Sequence, residues 1–406
     1  MQTSRRLLST FITFASVGIK FIFPLFLAYF GSDKDFSFLL ITYNTILISG
    51  HVFSLEHNKI YHRRAVHNNQ TQKIDLLERI YFDRTLIFKL IILIITLMLL
   101  DKFSIIQKIF IFLIVYLDLH LVESCRKEEV LGNYLRNNAI NSVRITLPII
   151  LFITFSFLFK NLSLNLLFFS TFTAFILVTY FFKIRLCNFL NLRIKTKLFF
   201  KITFRSFQYA ILTILSLFNP LLDKFVLLNF EEYSLIKSIS LWAIFGNLIS
   251  LFILEYINKP YKPKIINFLS KKDFNKISLS IIFYQVLLMF ILLLMVFLFR
   301  SPIETIMNPS FEFNYIQIIC CCFISASIPI NSIFYATLYG YKKDNQVLYL
   351  TIFEFLLKYI FCIFTLIFLK GYYLPYTLSL NVILILLFKY WYSRNYIFKN
   401  FGKIIK

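Results

Sequence analysis

Residues 219–250 read NPLLDKFVLLNFEEYSLIKSISLWAIFGNLIS. The stretch closes one apolar run, breaks at Glu231 and Glu232, and opens a second. A bilayer core of roughly 30 Å needs about 20 apolar residues per helix. The two runs, extended to 207–228 and 233–257, are long enough to cross it. The break between them leaves room only for a tight surface turn.

The same rhythm recurs along the chain. Further runs lie at 9–30, 36–55, 85–100, 105–122, 145–159, 163–182, 277–299, 313–338, 347–369 and 373–392, making twelve. Hydrophobic residues form 59% of the 406 and charged residues 16%, against roughly 45–50% and about 25% in soluble domains. A soluble globular protein is excluded on that basis. The net charge of +23 does not indicate nucleic acid, because long apolar runs separate the Lys and Arg residues instead of gathering them on a solvated face. With 8 Gly and 9 Pro, neither disorder nor a fibrous repeat is indicated. The run at 9–30 follows Arg5 and Arg6 but is too long for a signal peptide and has no small-x-small cleavage site, so it reads as a retained span.

Basic residues orient the spans. One set of loops holds 32 Lys and Arg, among them Arg63, Arg126, Arg144, Arg193, Lys262, Lys342, Lys389 and Lys403. The opposite loops hold five: Lys34, Lys102, Lys160, Arg300 and Lys370. Positive charge marks the cytoplasmic side, so both termini are expected there. The longest outer loop, 300–312, is too short for a soluble domain.

The chain repeats itself. Pro24 and Pro220 are 196 residues apart, as are Gly50 and Gly246. Asp35-Phe36-Ser37 answers Glu232-Tyr233-Ser234 at 197, and Asn58-Lys59-Ile60-Tyr61 answers Asn258-Lys259-Pro260-Tyr261 at 200. The expected fold is therefore an all-α polytopic membrane protein of about twelve transmembrane helices, in two six-helix lobes at 1–206 and 207–406. Because six is even, both halves enter the membrane in the same direction, giving a parallel repeat about an axis along the membrane normal. Two such lobes enclosing a cleft near the midplane have the geometry of alternating access.

A charge at mid-membrane costs roughly 2.5–3.5 kcal/mol on insertion scales, so it serves function or is structurally paired. Lys20 and Lys358 fall at the middle of their spans, and Lys237 one turn inside the eighth. Lys89 and Lys108 sit near helix ends, where snorkelling is expected. Glu354 precedes Lys358 by four residues, so the two share a helix face and are positioned to pair. Structural pairing is the favoured role of Glu354, with carriage of a coupling proton or cation the alternative. Asp223 and Lys224, near the outer end of the seventh span, either lock an outer gate or meet the interface.

Of the five histidines, His51, His57, His62 and His67 cluster after the second span, without metal-site spacing and beside Arg63 and Arg64. No metal site is expected. Cys125, Cys187, Cys320, Cys321, Cys322 and Cys362 form no CxxC pair and read as packing residues. No GxxxxGK[ST] loop is present, so no cofactor is expected and coupling falls to a proton or sodium gradient or the membrane potential.

Several segments resemble the Wzx-type polysaccharide flippases of the multidrug/oligosaccharidyl-lipid/polysaccharide exporter superfamily. The stretch 219–250 is similar in its Asp followed by a basic residue, its short outer loop, and a Tyr before the next span. ESCRKEEVLGNYLRNNAINSVRITLP after the fourth span resembles the family's cytoplasmic segment with an Arg, a Gly and a final Arg. GHVFSLEHNKIYHRRAV and YATLYGYKKDN add weaker matches. The resemblance implies flipping of an undecaprenyl-diphosphate-linked oligosaccharide, the repeat unit of O-antigen or capsule, across a bacterial inner membrane. It further implies a cationic cleft with Lys20, Lys237 and Lys358 toward substrate, coupling or gating by Asp223 and Glu354, and Arg126 and Arg144 at the inner gate or diphosphate entrance. Polysaccharide polymerase and chain-length machinery are the implied partners.

Two other functions compete. A multidrug-type antiporter of the same superfamily needs acidic groups in its cleft, whereas the mid-membrane set here is lysine-rich. A membrane enzyme such as an oligosaccharide polymerase needs a large outer loop or a catalytic constellation, and the sequence offers neither.

Overall fold

The computed structural model of the chain describes residues 2–57, 78–99, 101, 103–186, 196–253, 300–307, 312–330 and 344–404, with parts of 283–298. These residues are helical apart from short turns. Lipid offers no partner to a backbone N–H or C=O, so a spanning segment satisfies its own by coiling.

In the first half the helices are α1 (Gln2–Phe30), α2 (Asp33–Phe53), α3 (Arg84–Met98), α4 (Ile105–Val130), α5 (Tyr134–Phe159) and α6 (Leu164–Phe181). Then come α7 (Thr196–Phe218), α8 (Leu222–Asn229) and α9 (Tyr233–Ile253). The second half closes with α10 (Arg300–Met307), α11 (Tyr315–Ala326), α12 (Asp344–Phe364) and α13 (Leu374–Ile404). Among the described residues, nine helices are long and apolar enough to cross a membrane. The protein is an all-helical polytopic membrane protein.

The helices depart from the expected spans where charge interrupts hydropathy. The fourth and fifth spans, expected at 105–122 and 145–159, continue as helix to Val130 and back to Tyr134. Arg126 and Arg144 therefore stand on helices, although their charge assigned them to a loop. Lys389 is likewise within α13 and almost wholly buried. The basic stretches around Arg63, Arg193, Lys262 and Lys342, together with His62, His67, Cys187 and the repeat segments 58–61 and 258–261, lie outside the described residues.

Two compact units form, Met1–Leu217 and Phe218–Lys406. The division falls within the seventh span, after most of α7, instead of at 206/207. Phe199 of α7 stacks on Phe88 of α3, and Thr203 meets His57 at 3.0 Å, which ties this helix to the first unit.

Each unit repeats the other's internal contacts. In the first, a capping box at Ser104 and Gln107 starts α4, and Gln107 Nε2 reaches Asn165 Oδ1 at the start of α6, 2.9 Å away. In the second, a capping box at Asn314 and Gln317 starts α11, and Gln317 Nε2 donates to the Tyr372 carbonyl just before α13 at 2.8 Å. A cap of this type contributes about 1 kcal/mol. The paired glycines correspond as well. A Cβ on Gly50 of α2 would collide with the Asp118 carboxylate on α4, and one on Gly246 of α9 with the Cys322 carbonyl on α11. Both positions need a residue without a side chain because two helices touch there.

The repeat fails at its prolines. α1 runs unbroken through Pro24. At Pro220 the seventh span interrupts itself with a single 3-10 turn, Asn219–Leu221, between α7 and α8.

Candidate functional site

That interruption positions the site. Proline has no N–H and interrupts the α-helical ladder, and at the 3-10 turn that replaces it the Asn219 carbonyl accepts the Leu222 N–H and keeps a lone pair for a further donor. The Asn219 carbonyl accepts from the Lys358 ammonium at 2.6 Å. Asp223, in the first turn of α8, accepts from the same ammonium through Oδ1 at 2.8 Å. Lys358 and Asp223 are both buried.

One turn earlier on α12, Glu354 takes a different pair of partners. Its Oε1 accepts from Asn219 Nδ2 at 3.0 Å, and its Oε2 forms an ion pair with Lys389 of α13. Glu354 and Lys358 thus share a helix face, and each carries an ion pair to another helix. Four helical segments are joined through charge: the break at Asn219, α8, α12 and α13.

A cavity of about 120 Å³ opens beside this cluster. Asn219, Asp223, Lys224, Glu354 and Lys358 line it, with Asn381 of α13 on the same wall. The side-chain oxygens of Asn219 and Asn381 are buried and have no hydrogen-bond partner among the described residues. Asn381 is 1% exposed.

The first unit holds a second charged cluster, deeper than the sequence suggested. Asp118, in the middle of α4, takes a bidentate grip from Arg144 of α5, with Nε to Oδ1 at 2.5 Å and Nη2 to Oδ2 at 2.8 Å. The Gly50 N–H donates to the same carboxylate at 2.8 Å, and Arg144 also donates to the Leu47 carbonyl at 2.6 Å. Arg126, two turns farther along α4, pairs with Glu56 at 2.7 Å and meets His51 at 3.0 Å. Service by Arg144 at a diphosphate entrance would require its guanidinium to leave Asp118. Arg126 retains an Nη1 with no hydrogen-bond partner among the described residues.

The remaining sequence-derived residues are dispersed. Lys20 is exposed on α1, and Lys237 is buried in α9. Lys89, expected to snorkel, is buried with its ammonium 4.7 Å from the Phe82 ring centre. His57, beyond the end of α2, lies between Thr85 and Thr203, and burial beside Lys89 holds its imidazole far below the ordinary histidine value. Among the described residues, no three His, Cys, Asp or Glu side chains gather as metal ligands.

Sequence reasoning missed Asp118, Asn219, Asn381 and the role of Lys389. Asp118 was detectable, because it is an acidic residue inside the apolar run 105–122 and falls under the same rule that singled out the lysines. Asn219 acts through its backbone at a proline break, which residue type alone does not reveal.

The architecture is that of a known class of membrane transporter. An inward-facing multidrug resistance MATE family transporter of the MOP superfamily aligns with 98% of this chain and 94% of its own, at 13% identity and a TM-score of 0.53. An outward-facing structure of such a transporter aligns with 97% of this chain and 94% of its own, at 10% identity and a TM-score of 0.54. A MOP superfamily transporter from Pyrococcus furiosus, described as having a binding pocket of reverse polarity that suggests a different function, aligns with 97% of this chain and 94% of its own, at 9% identity and a TM-score of 0.50. No protein-family model and no curated protein matches the sequence. What the chain shares with these transporters is the fold.

Proposed function

We propose that the chain is an alternating-access transporter in a bacterial inner membrane, with both termini cytoplasmic. Its cargo in this reading is an undecaprenyl-diphosphate-linked oligosaccharide, moved from the cytoplasmic to the outer leaflet for polysaccharide polymerase and chain-length machinery to use. The observation that carries the reading is the sign of the charge. In the second-unit cluster the two carboxylates, Asp223 and Glu354, are already held by Lys358 and Lys389, and Lys224 on the cavity wall leaves positive charge in excess. Positive potential in a low-dielectric surround attracts a diphosphate and repels a cationic drug. The cavity holds only a few waters at about 30 Å³ each, so it acts on charge and does not house the sugar.

Drug antiport is the second reading, favoured by the multidrug transporters among the similar solved structures. Purified protein in vesicles separates the two. Movement of lipid-linked oligosaccharide to the far leaflet without ion-driven dye export is the expected result, and dye export alone would reject the flippase.

A further inference from the structure

The seat around Lys358 has the chemistry of a metal-cation site. A backbone carbonyl freed by a helix break, with a carboxylate one turn away, is how interrupted membrane helices hold a monovalent coupling cation. Here the two oxygens are Asn219 O, which accepts the Leu222 N–H of the 3-10 turn and turns its second lone pair to the ammonium at 2.6 Å, and Asp223 Oδ1 at 2.8 Å. Two more, Asn219 Oδ1 and Asn381 Oδ1, are buried on the adjoining cavity and have no hydrogen-bond partner among the described residues. A hydrophobic wall would not present four oxygens to one small space, since burying a polar atom without a partner is unfavourable.

We infer that Lys358 is a tethered cation: its ammonium occupies a seat built for a free monovalent cation and thereby closes that seat to sodium. Two consequences follow. The native protein should show no specific sodium binding here. Removing the ammonium while keeping Asp223 should leave a carboxylate and a carbonyl around the vacated space, with two unpartnered amide oxygens on residues that line the cavity, and a sodium ion would enter there. Only the consequence for coupling rests on the transport reading; the binding itself does not.

The test compares melting of the purified full chain in detergent with sodium chloride against choline chloride at equal ionic strength. The native protein should melt at the same temperature in both. Lys358→Ala should be stabilised by sodium along a saturating curve, with a rise of about 3 °C or more. Lys358→Met, which fills the volume of the lysine stem, should behave similarly. Adding Asp223→Asn to either should abolish the response. Sodium-dependent recovery of folded protein, should a variant fold poorly in choline, supports the same conclusion. Saturable sodium stabilisation of the native protein would overturn the inference. So would folded variants indifferent to sodium, or variants that sodium fails to rescue, either of which would make Lys358 a structural partner only.

Discussion

Lys358 on α12 and Asp223 on α8 pair at 2.8 Å across 135 positions of sequence. Both are buried, so neither charge is tolerated alone. Asp223→Ala should lower the yield of folded protein, consistent with the roughly 3–5 kcal/mol lost when one member of a buried pair is removed. The reversed pair, Asp223→Lys with Lys358→Asp, should retain more folded protein than either single change. Size-exclusion of detergent extracts measures this, and a stable Asp223→Ala protein would sink the pairing.

The Asp118 and Arg144 pair should behave differently, because a bidentate geometry discriminates between cations. Arg144→Lys should recover only part of the stability lost in Arg144→Ala, since one ammonium cannot reproduce both bonds to Asp118 and the bond to Leu47. Replacing both residues with apolar ones, Asp118→Leu and Arg144→Met, should be less damaging than either single change. Melting curves of the four proteins decide the order.

Gly50→Ala and Gly246→Ala each push a methyl into a neighbouring helix, and should be destabilised by about 1–3 kcal/mol, as overpacked cores are. Gly18→Ala is the control. Nothing lies within 4 Å of where its Cβ would stand, so it should be neutral or mildly stabilising. Equal behaviour of all three would show that the two helix crossings are looser than described.

Lys20 is exposed, so its substitution should spare membrane levels and reveal function instead. Surface polysaccharide in a complemented null strain should fall further with Lys20→Glu than with Lys20→Gln, because Gln still donates to phosphate oxygens while Glu repels them. Full complementation by Lys20→Glu would remove this residue from the anion path.

His57 supplies a pH dependence. Its imidazole is held neutral well below the ordinary histidine value, while in the unfolded chain it takes up a proton near the usual pKa of about 6.5. The unfolded state then binds more protons, so stability should fall as pH drops below that point and be fully present above it. His57→Gln should flatten the decline in melting temperature between about pH 7 and 5.

Much of the fold was legible because hydropathy and helix length are tied by the bilayer. The runs at 36–55 and 163–182 agree closely with α2 and α6. The readings that slipped, at Arg126, Arg144 and Lys389, share one cause. Charge was taken as the mark of a loop, whereas a charge matched by Glu56, Asp118 or Glu354 stays inside a helix. A pairing between distant helices is invisible to a reading made one segment at a time. The same limit explains Glu354 and Lys358, whose spacing suggested each other and whose neighbours in space supplied Lys389 and Asp223. Gly50 and Gly246 were visible as a repeat, and the structure gives the reason they recur.

The two prolines at equivalent places have taken opposite courses. One is absorbed within a continuous helix, and the other became a socket. A protein assembled from two copies of its first half would seal both sets of caps and hold the Asp118 and Arg144 pair twice, yet it would lack the turn at Asn219 that seats Lys358. Ancestry gave the halves a common plan, and their division of labour begins at a single peptide bond.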